Sequence, residues 1–321
     1  MTTSTETQPS ELVIVTGAST GIGKATAQRL AADGFLVLAG VRREQDATAL
    51  RAGNIEPIIL DITDEQQVAA LAKRIATDPL NRPLRAVINN AGIAINAPVE
   101  TVRMTEWRRQ FEVGVFGHVA VIQAVLPFLL KSGGRVINIS SVGGKVAMPS
   151  FGPYSGAKFA IEGITDALRR EVEQFGVRVV SIIPGAVKTH LNERGVTTAH
   201  RMIEDMTPEQ RTRYAPLMKA FEDQANTWSE TGSTPEKAAD VIAHAVHDRR
   251  PRTRYTIGTD AAMLSRISRI VTGSARTAAF SSSERLASRS SLRMSGSSAR
   301  GMELPLEAGA HVTLSHRRLN N

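Results

Sequence analysis

A serine, a tyrosine and a lysine near the middle of this chain have the types and spacing needed to move a proton at an oxygen. They are Ser141, Tyr154 and Lys158, in the stretch SVGGKVAMPSFGPYSGAK that spans 141–158. Tyr154 and Lys158 are four residues apart, so a helix opening near Pro153 presents them on one face. Ser141 follows the apolar run Arg135–Ser140, whose alternation marks a buried strand, and so sits at that strand's carboxyl end. A neighbouring ammonium lowers the cost of ionising a phenol, whose ordinary pKa is about 10, by about 1.4 kcal/mol per unit. The expectation is that Lys158 depresses Tyr154 in this way. A serine hydroxyl can hold a carbonyl or alcohol oxygen while the phenol gives or takes the proton. A lone Tyr-x-x-x-Lys is a weak motif, so its weight depends on the elements around it.

Those elements form a strand–helix series. Glu11–Thr16 reads as a short buried strand that runs into Gly17-Ala-Ser19-Thr20-Gly21-Ile22-Gly23 and then a helix ending near Asp33-Gly34. A glycine turn between strand and helix lets the backbone approach a pyrophosphate, and the helix N-terminus adds unpaired N–H groups. Phe35–Gly40 is the second strand. No carboxylate closes it; Val41-Arg42-Arg43 stands there instead. A carboxylate would suit NAD(H), whereas guanidinium groups can grip the 2′-phosphate of NADP(H), so NADP(H) is favoured over NAD(H) through Arg42 and Arg43. Ile58–Leu60 reads as the third strand, with Asp61 and Ile62 at its end bordering an adenine. Leu84–Ile88 is the fourth, running into Asn89-Asn90-Ala91-Gly92. Trp107–Leu130 has helical spacing, and Val177–Ile183 is the sixth strand, followed by Pro184-Gly185-Ala-Val187-Lys-Thr189. Alternating strands and helices imply an α/β fold with a parallel sheet covered on both faces and a ligand at the strands' carboxyl ends.

Composition narrows the function class. Among 321 residues, 42% are hydrophobic, which is ordinary for a globular chain. The absence of cysteine excludes disulfides. With no export signal at the N-terminus, a cytoplasmic setting is expected. No apolar run approaches bilayer length, so no membrane partner is expected. The formal charge is +8, but aromatic residues are only 4%, a poor basis for nucleic-acid binding. His244 and His247 lie three apart without an evident third ligand, so no metal site is expected.

Taken as a set, Thr16-Gly17…Gly21-Ile-Gly23, Asn89-Asn90-Ala91-Gly92, Ser141, Tyr154…Lys158 and Pro184-Gly185…Thr189 resemble the single-domain branch of the short-chain dehydrogenase/reductase family. The resemblance covers roughly residues 11–260. It implies a doubly wound Rossmann fold with a seven-stranded, mostly parallel sheet, Tyr255–Ile257 serving as the last strand. It also implies hydride transfer between NAD(P) and an alcohol or ketone. By position, Tyr154 would be the acid/base and Ser141 the anchor of the substrate oxygen. Lys158 would hold the nicotinamide ribose, and Pro184–Thr189 would border the nicotinamide. Relatives that pair through two long helices imply a homo-oligomer. One residue departs from the pattern: Gly114 stands where the family carries an asparagine thought to complete a proton relay. A glycine there leaves room for a water.

The domain reading is a leader over 1–10, one catalytic domain over 11–272 with a lid at about 190–230, and a disordered tail over 273–321. The lid segment carries Leu191, Met202, Met206, Tyr214, Met218, Phe221 and Trp228. It forms either an apolar wall over the site or an amphipathic cover on the core. Its similarity to lids of retinol and hydroxysteroid dehydrogenases implies a bulky lipophilic alcohol or ketone as the small-molecule, lipophilic substrate. His190 is either a substrate contact or an ordinary loop histidine. Residues 261–272 read as a basic helix that packs on the domain or touches a membrane surface. The tail holds seven arginines against three glutamates and few large apolar residues. Two other readings use the same residues: a catalytically impaired nucleotide-binding regulator, which Gly114 would favour, and a sugar-nucleotide epimerase.

Overall fold

The computed structural model describes residues 9–270. Most of the expected leader and all of the expected tail lie outside the described residues. Seven strands form one parallel sheet: β1 (Leu12–Val15), β2 (Leu36–Val41), β3 (Ile55–Ile59), β4 (Leu84–Asn89), β5 (Arg135–Ile139), β6 (Arg178–Pro184) and β7 (Arg254–Ile257). Their order is β3-β2-β1-β4-β5-β6-β7, and every adjacent pair is parallel. The chain winds outward from β1 to β3, then returns to place β4 on the other side of β1. That reversal opens a crevice at the carboxyl ends of β1 and β4, where α/β sheets bind their ligands.

Strand residues alternate between two cores, which is why both faces need helices. Val13, Val15, Ala86, Ile88 and Ile182 pack on one side against α1 (Gly21–Ala32), α2 (Glu44–Leu50) and α9 (Pro235–His247). Leu12, Ile14, Val87 and Val136 pack on the other against α3 (Glu65–Ala76), α5 (Gly117–Ser132) and α6 (Gly152–Val172). The helix α4 (Met104–Phe111) continues through a π-helical turn at Glu112–Phe116 into α5. This Met104–Ser132 run is long and apolar enough to cross a bilayer, contrary to the reading of composition. Its apolar residues have a different use here: Val121, Ile122, Val125 and Leu129 are buried on the sheet.

Two element boundaries differ from the sequence reading. The third strand begins at Ile55, before Pro57, whereas the run Ile58–Leu60 was expected. Pro57 is tolerated because β3 is the edge of the sheet, where a missing N–H costs no ladder bond. The lid segment is two helices, α7 (His190–Glu204) and α8 (Pro208–Thr231), and the last helix is α10 (Thr259–Ile270). α6 gives way to a 3-10 turn that stops at Gly176, whose φ of +81° is a left-handed cap.

Candidate active site

The site is assembled where β1, β4, β5 and β6 end. Thr16 ties the first two together: its Oγ1 accepts from the N–H groups of Asn90 and Ala91, both at 3.0 Å. The Asn90 amide returns the tie, donating to the carbonyls of Thr16 at 3.0 Å and Gly17 at 3.1 Å. The glycine turn is thereby fixed against the Asn-Asn-Ala-Gly loop. Gly17 has φ of +65°, and a Cβ on it would come within 2.8 Å of the Ala91 backbone. Gly23 does not border the cavity. It allows the helix to lie close, since a Cβ there would meet the Gly17 carbonyl oxygen at 2.3 Å and the Asn90 amide at 2.4 Å.

α1 opens without a side-chain cap at Thr20 and without an acidic residue in its first turn. Its first N–H groups and positive dipole end therefore face the cavity free of any side-chain acceptor, a cradle suited to a pyrophosphate. The cavity is bordered by Gly17, Ser19, Thr20, Gly21 and Ile22 from this turn, and by Arg42, Asp61 and Ile62 beyond β2 and β3. Asn90, Ala91, Gly92, Ser141, Tyr154, Lys158, Pro184, Gly185, Val187 and Thr189 complete the set read from the sequence. The donors present thus fit a dinucleotide.

Besides Gly23, Arg43 is absent from this lining, and it needs a physical reason. Its guanidinium is held by Asp46 through two hydrogen bonds of 2.8 Å, at the start of α2, and it does not border the cavity. Sequence reading missed Arg194 and Asn192, which reach the same cavity from α7. No local signal announces them, because the lid's path back over the site is a tertiary fact.

Around the phenol, Ser141 Oγ accepts from the Gly143 N–H at 3.0 Å, which orients it, and it lies close enough to Tyr154 to act on the phenol. Lys158 is buried, with Nζ donating to the Ile139 carbonyl at 2.7 Å and lying 5.8 Å from the Tyr154 ring centre. A polar chain through the core fixes α6 to the sheet: Asn89 donates to Asn138 at 3.0 Å, and Asn138 to Thr165 at 2.8 Å.

Burial governs the charges here. It pushes Tyr154 above its ordinary value, with the Ser141 hydrogen bond pulling the other way. It pulls Lys158 down to about 8, against the opposing charge of Glu162 one turn along α6. The expected depression of Tyr154 is not what this cavity does: burial sets the direction, upward. At neutral pH the phenol keeps its proton and the lysine its charge. His118, buried with its Nε2 2.7 Å from the Ala91 carbonyl oxygen, is pulled down to about 4 by burial and by Lys158. Its Nδ1 has no partner among the described residues.

Gly114 lies in the π-helical turn, facing α6. A Cβ there would meet the Ala157 methyl at 3.1 Å and the Gln110 amide at 3.3 Å. A side chain at 114 would therefore press against α6.

The comparisons with known proteins agree with this geometry. The model of the short chain dehydrogenase family matches residues 11–199. The chain belongs to that family. Short-chain dehydrogenases are NAD(P)-dependent oxidoreductases of alcohols and ketones. The chain is 36% identical over 264 residues to a 3-amino-tetrahydro-pyrrolizinone reductase of Xenorhabdus hominickii, covering 81% of this chain and 91% of that one. It is 33% identical to retinol dehydrogenase 16 of Homo sapiens over 78% of this chain and 82% of that one. Among solved structures, a short chain dehydrogenase of Burkholderia cenocepacia in complex with NADP superposes with a TM-score of 0.62 at 26% identity. It covers 81% of this chain and 94% of that one.

On the substrate side of this short-chain dehydrogenase, Phe151 is the joint between the site and the lid. Its ring centre is 6.2 Å from Tyr154, 5.4 Å from Phe221 and 5.9 Å from Trp228, all edge-to-face. Met206, Met218 and Phe221 pack with it into a small core of their own, and Met202 packs with Ile95, Ala97 and Val102. The lid's apolar residues thus serve both readings, as a packed cover with an aromatic edge beside the phenol. Leu191 alone of the lid's expected apolar set borders the dinucleotide cavity. His190 is exposed and 2.8 Å from the Glu193 carboxylate. The Pro184–Val187 loop is held from outside: Asp260, at the start of α10, accepts from the Ala186 N–H at 2.8 Å.

Proposed function

We propose that the protein is an NADP(H)-dependent oxidoreductase acting on a lipophilic secondary alcohol or ketone. The observation that carries this is the pairing of the Tyr154 phenol with Ser141 at the carboxyl end of β5, with Lys158 one turn farther along α6. The nicotinamide, when bound, supplies the hydride at the carbonyl carbon. In that direction Ser141 donates to the substrate oxygen and holds it beside the phenol. Tyr154, kept protonated by burial, gives its proton to that oxygen and is left as phenolate. The Lys158 ammonium, fixed by Ile139, offsets the phenolate charge in a poorly hydrated site.

Cofactor choice rests on the end of β2, where Arg42 and no carboxylate borders the cavity. The NADP-bound relative supports the same choice. The substrate class rests on the Phe151, Phe221 and Trp228 edge beside Tyr154, and on the similarity to a retinol dehydrogenase. Exposed Phe116 on the π-helical turn and Phe159 on α6 support pairing of two copies through the long helices. A cytoplasmic, membrane-free setting completes the reading. Gly114 favours one alternative, a nucleotide-binding regulator with impaired chemistry.

The deciding experiment measures affinity for NADPH and NADH, then follows nicotinamide absorbance across a panel of lipophilic ketones. The expected result is tighter NADPH binding and turnover of at least one bulky ketone. Tight cofactor binding with no turnover across the panel would support the regulator instead.

A further inference from the structure

Three arginines lie around the adenosine end of the cavity, and they are not equivalent. Arg43 is paired with the bidentate Asp46 carboxylate and does not border the cavity. Arg42, one residue earlier, borders the cavity and has no ion-pair partner among the described residues. Arg194 arrives from α7, five residues past Thr189, and also borders the cavity unpaired among the described residues. Both Arg42 and Arg194 stand close enough to Asp46 for their charges to act on it. That places Arg194 over the β2–α2 corner, although its helix belongs to the lid.

Two exposed guanidiniums without ion-pair partners among the described residues, bordering one cavity, favour an anion there. A phosphate monoester carries close to two negative charges at neutral pH and accepts bidentate bonds from guanidinium. We propose that Arg194 is a specificity-determining residue: with Arg42, and in place of Arg43, it grips the 2′-phosphate of NADP(H). The inference rests on the NADP(H) reading above and deepens it. It also ties the lid to the cofactor, since the 2′-phosphate is an anion that NAD(H) lacks and Arg194 reaches the cavity from α7.

The test uses probes without a nicotinamide. Calorimetric titration of the full chain with 2′,5′-ADP and with 5′-ADP is carried out for the wild type, Arg194→Gln, Arg42→Gln and Arg43→Gln. Loss of one charge-assisted contact is expected to weaken 2′,5′-ADP by about tenfold or more in Arg194→Gln and Arg42→Gln. In both variants 5′-ADP affinity stays close to wild type, and Arg43→Gln changes neither ligand much. Equal losses for both ligands in Arg194→Gln would assign Arg194 to the phosphate that both probes share and overturn the proposal. A selective loss in Arg43→Gln with none in Arg194→Gln would also overturn it. A wild type that binds the two probes equally defeats the NADP(H) preference itself, a distinct failure visible before any variant is made.

Discussion

The Lys158 ammonium donates to the Ile139 carbonyl at 2.7 Å, which fixes the charge at the end of β5 rather than against the Tyr154 oxygen. Burial holds that ammonium's pKa at about 8, so it loses its proton as pH rises through that value. The kcat/KM for ketone reduction, which reports groups of the free enzyme, is expected to fall above pH about 8. Lys158→Arg keeps its charge through this range and should flatten that limb even if its rate is lower. An unchanged alkaline limb in Lys158→Arg would assign the titration elsewhere.

Gly114 and Ala157 touch across the π-helical turn and α6. Asparagine at 114 must push against a methyl at 3.1 Å, so Gly114→Asn is expected to lose about 1–3 kcal/mol by urea denaturation. Adding Ala157→Gly should recover part of that loss, giving a coupling that the single changes do not predict. Additive effects would show that the contact is relaxed at no cost.

His118 makes the fold acid-sensitive. Its folded pKa of about 4 lies below the ordinary 6.5, so the unfolded chain binds the extra proton. The stability contributed by the neutral ring is whole above pH about 6.5 and is lost as pH falls toward about 4, a difference of about 3 kcal/mol. Urea unfolding between pH 7 and 4 should show His118→Asn losing less stability than the wild type by about that amount. Parallel pH curves would mean that the ring is hydrated and titrates normally.

Asp260 holds the Ala186 N–H at 2.8 Å from outside the site. Asp260→Ala leaves that N–H without its acceptor, a cost of about 1–3 kcal/mol in thermal or chemical unfolding. Because Ala186 lies within the Pro184–Thr189 loop, KM for the cofactor should rise more than kcat falls. A stability loss with unchanged KM would confine Asp260 to the fold.

Much of this was legible in the chain because the site lies where local patterns end. Ser141, the Gly17–Gly23 turn and Pro184 each follow a run of strand residues, so finding the strands also found the cavity. Arg43 was misplaced because guanidinium type and position say nothing of Asp46 three residues later, which engages it. Arg194 was invisible because its approach depends on how α7 folds back, a long-range property without a sequence period. The start of β3 was hidden by Pro57, a residue that argues against a strand unless the strand is known to be an edge. The upward push on Tyr154 was hidden for a similar reason: spacing gives a neighbouring charge but not the burial of the phenol.

The most direct test of the central claim is single-turnover reduction of a ketone substrate by Tyr154→Phe, with NADPH affinity measured in the same preparation. The phenol hydroxyl is the proton source in this account, and general acid–base catalysis contributes typically about 10²–10⁴-fold. The expected result is loss of nearly all turnover with NADPH bound as tightly as by the wild type. Turnover at the wild-type rate, with Ser141 and Lys158 intact, would contradict the account.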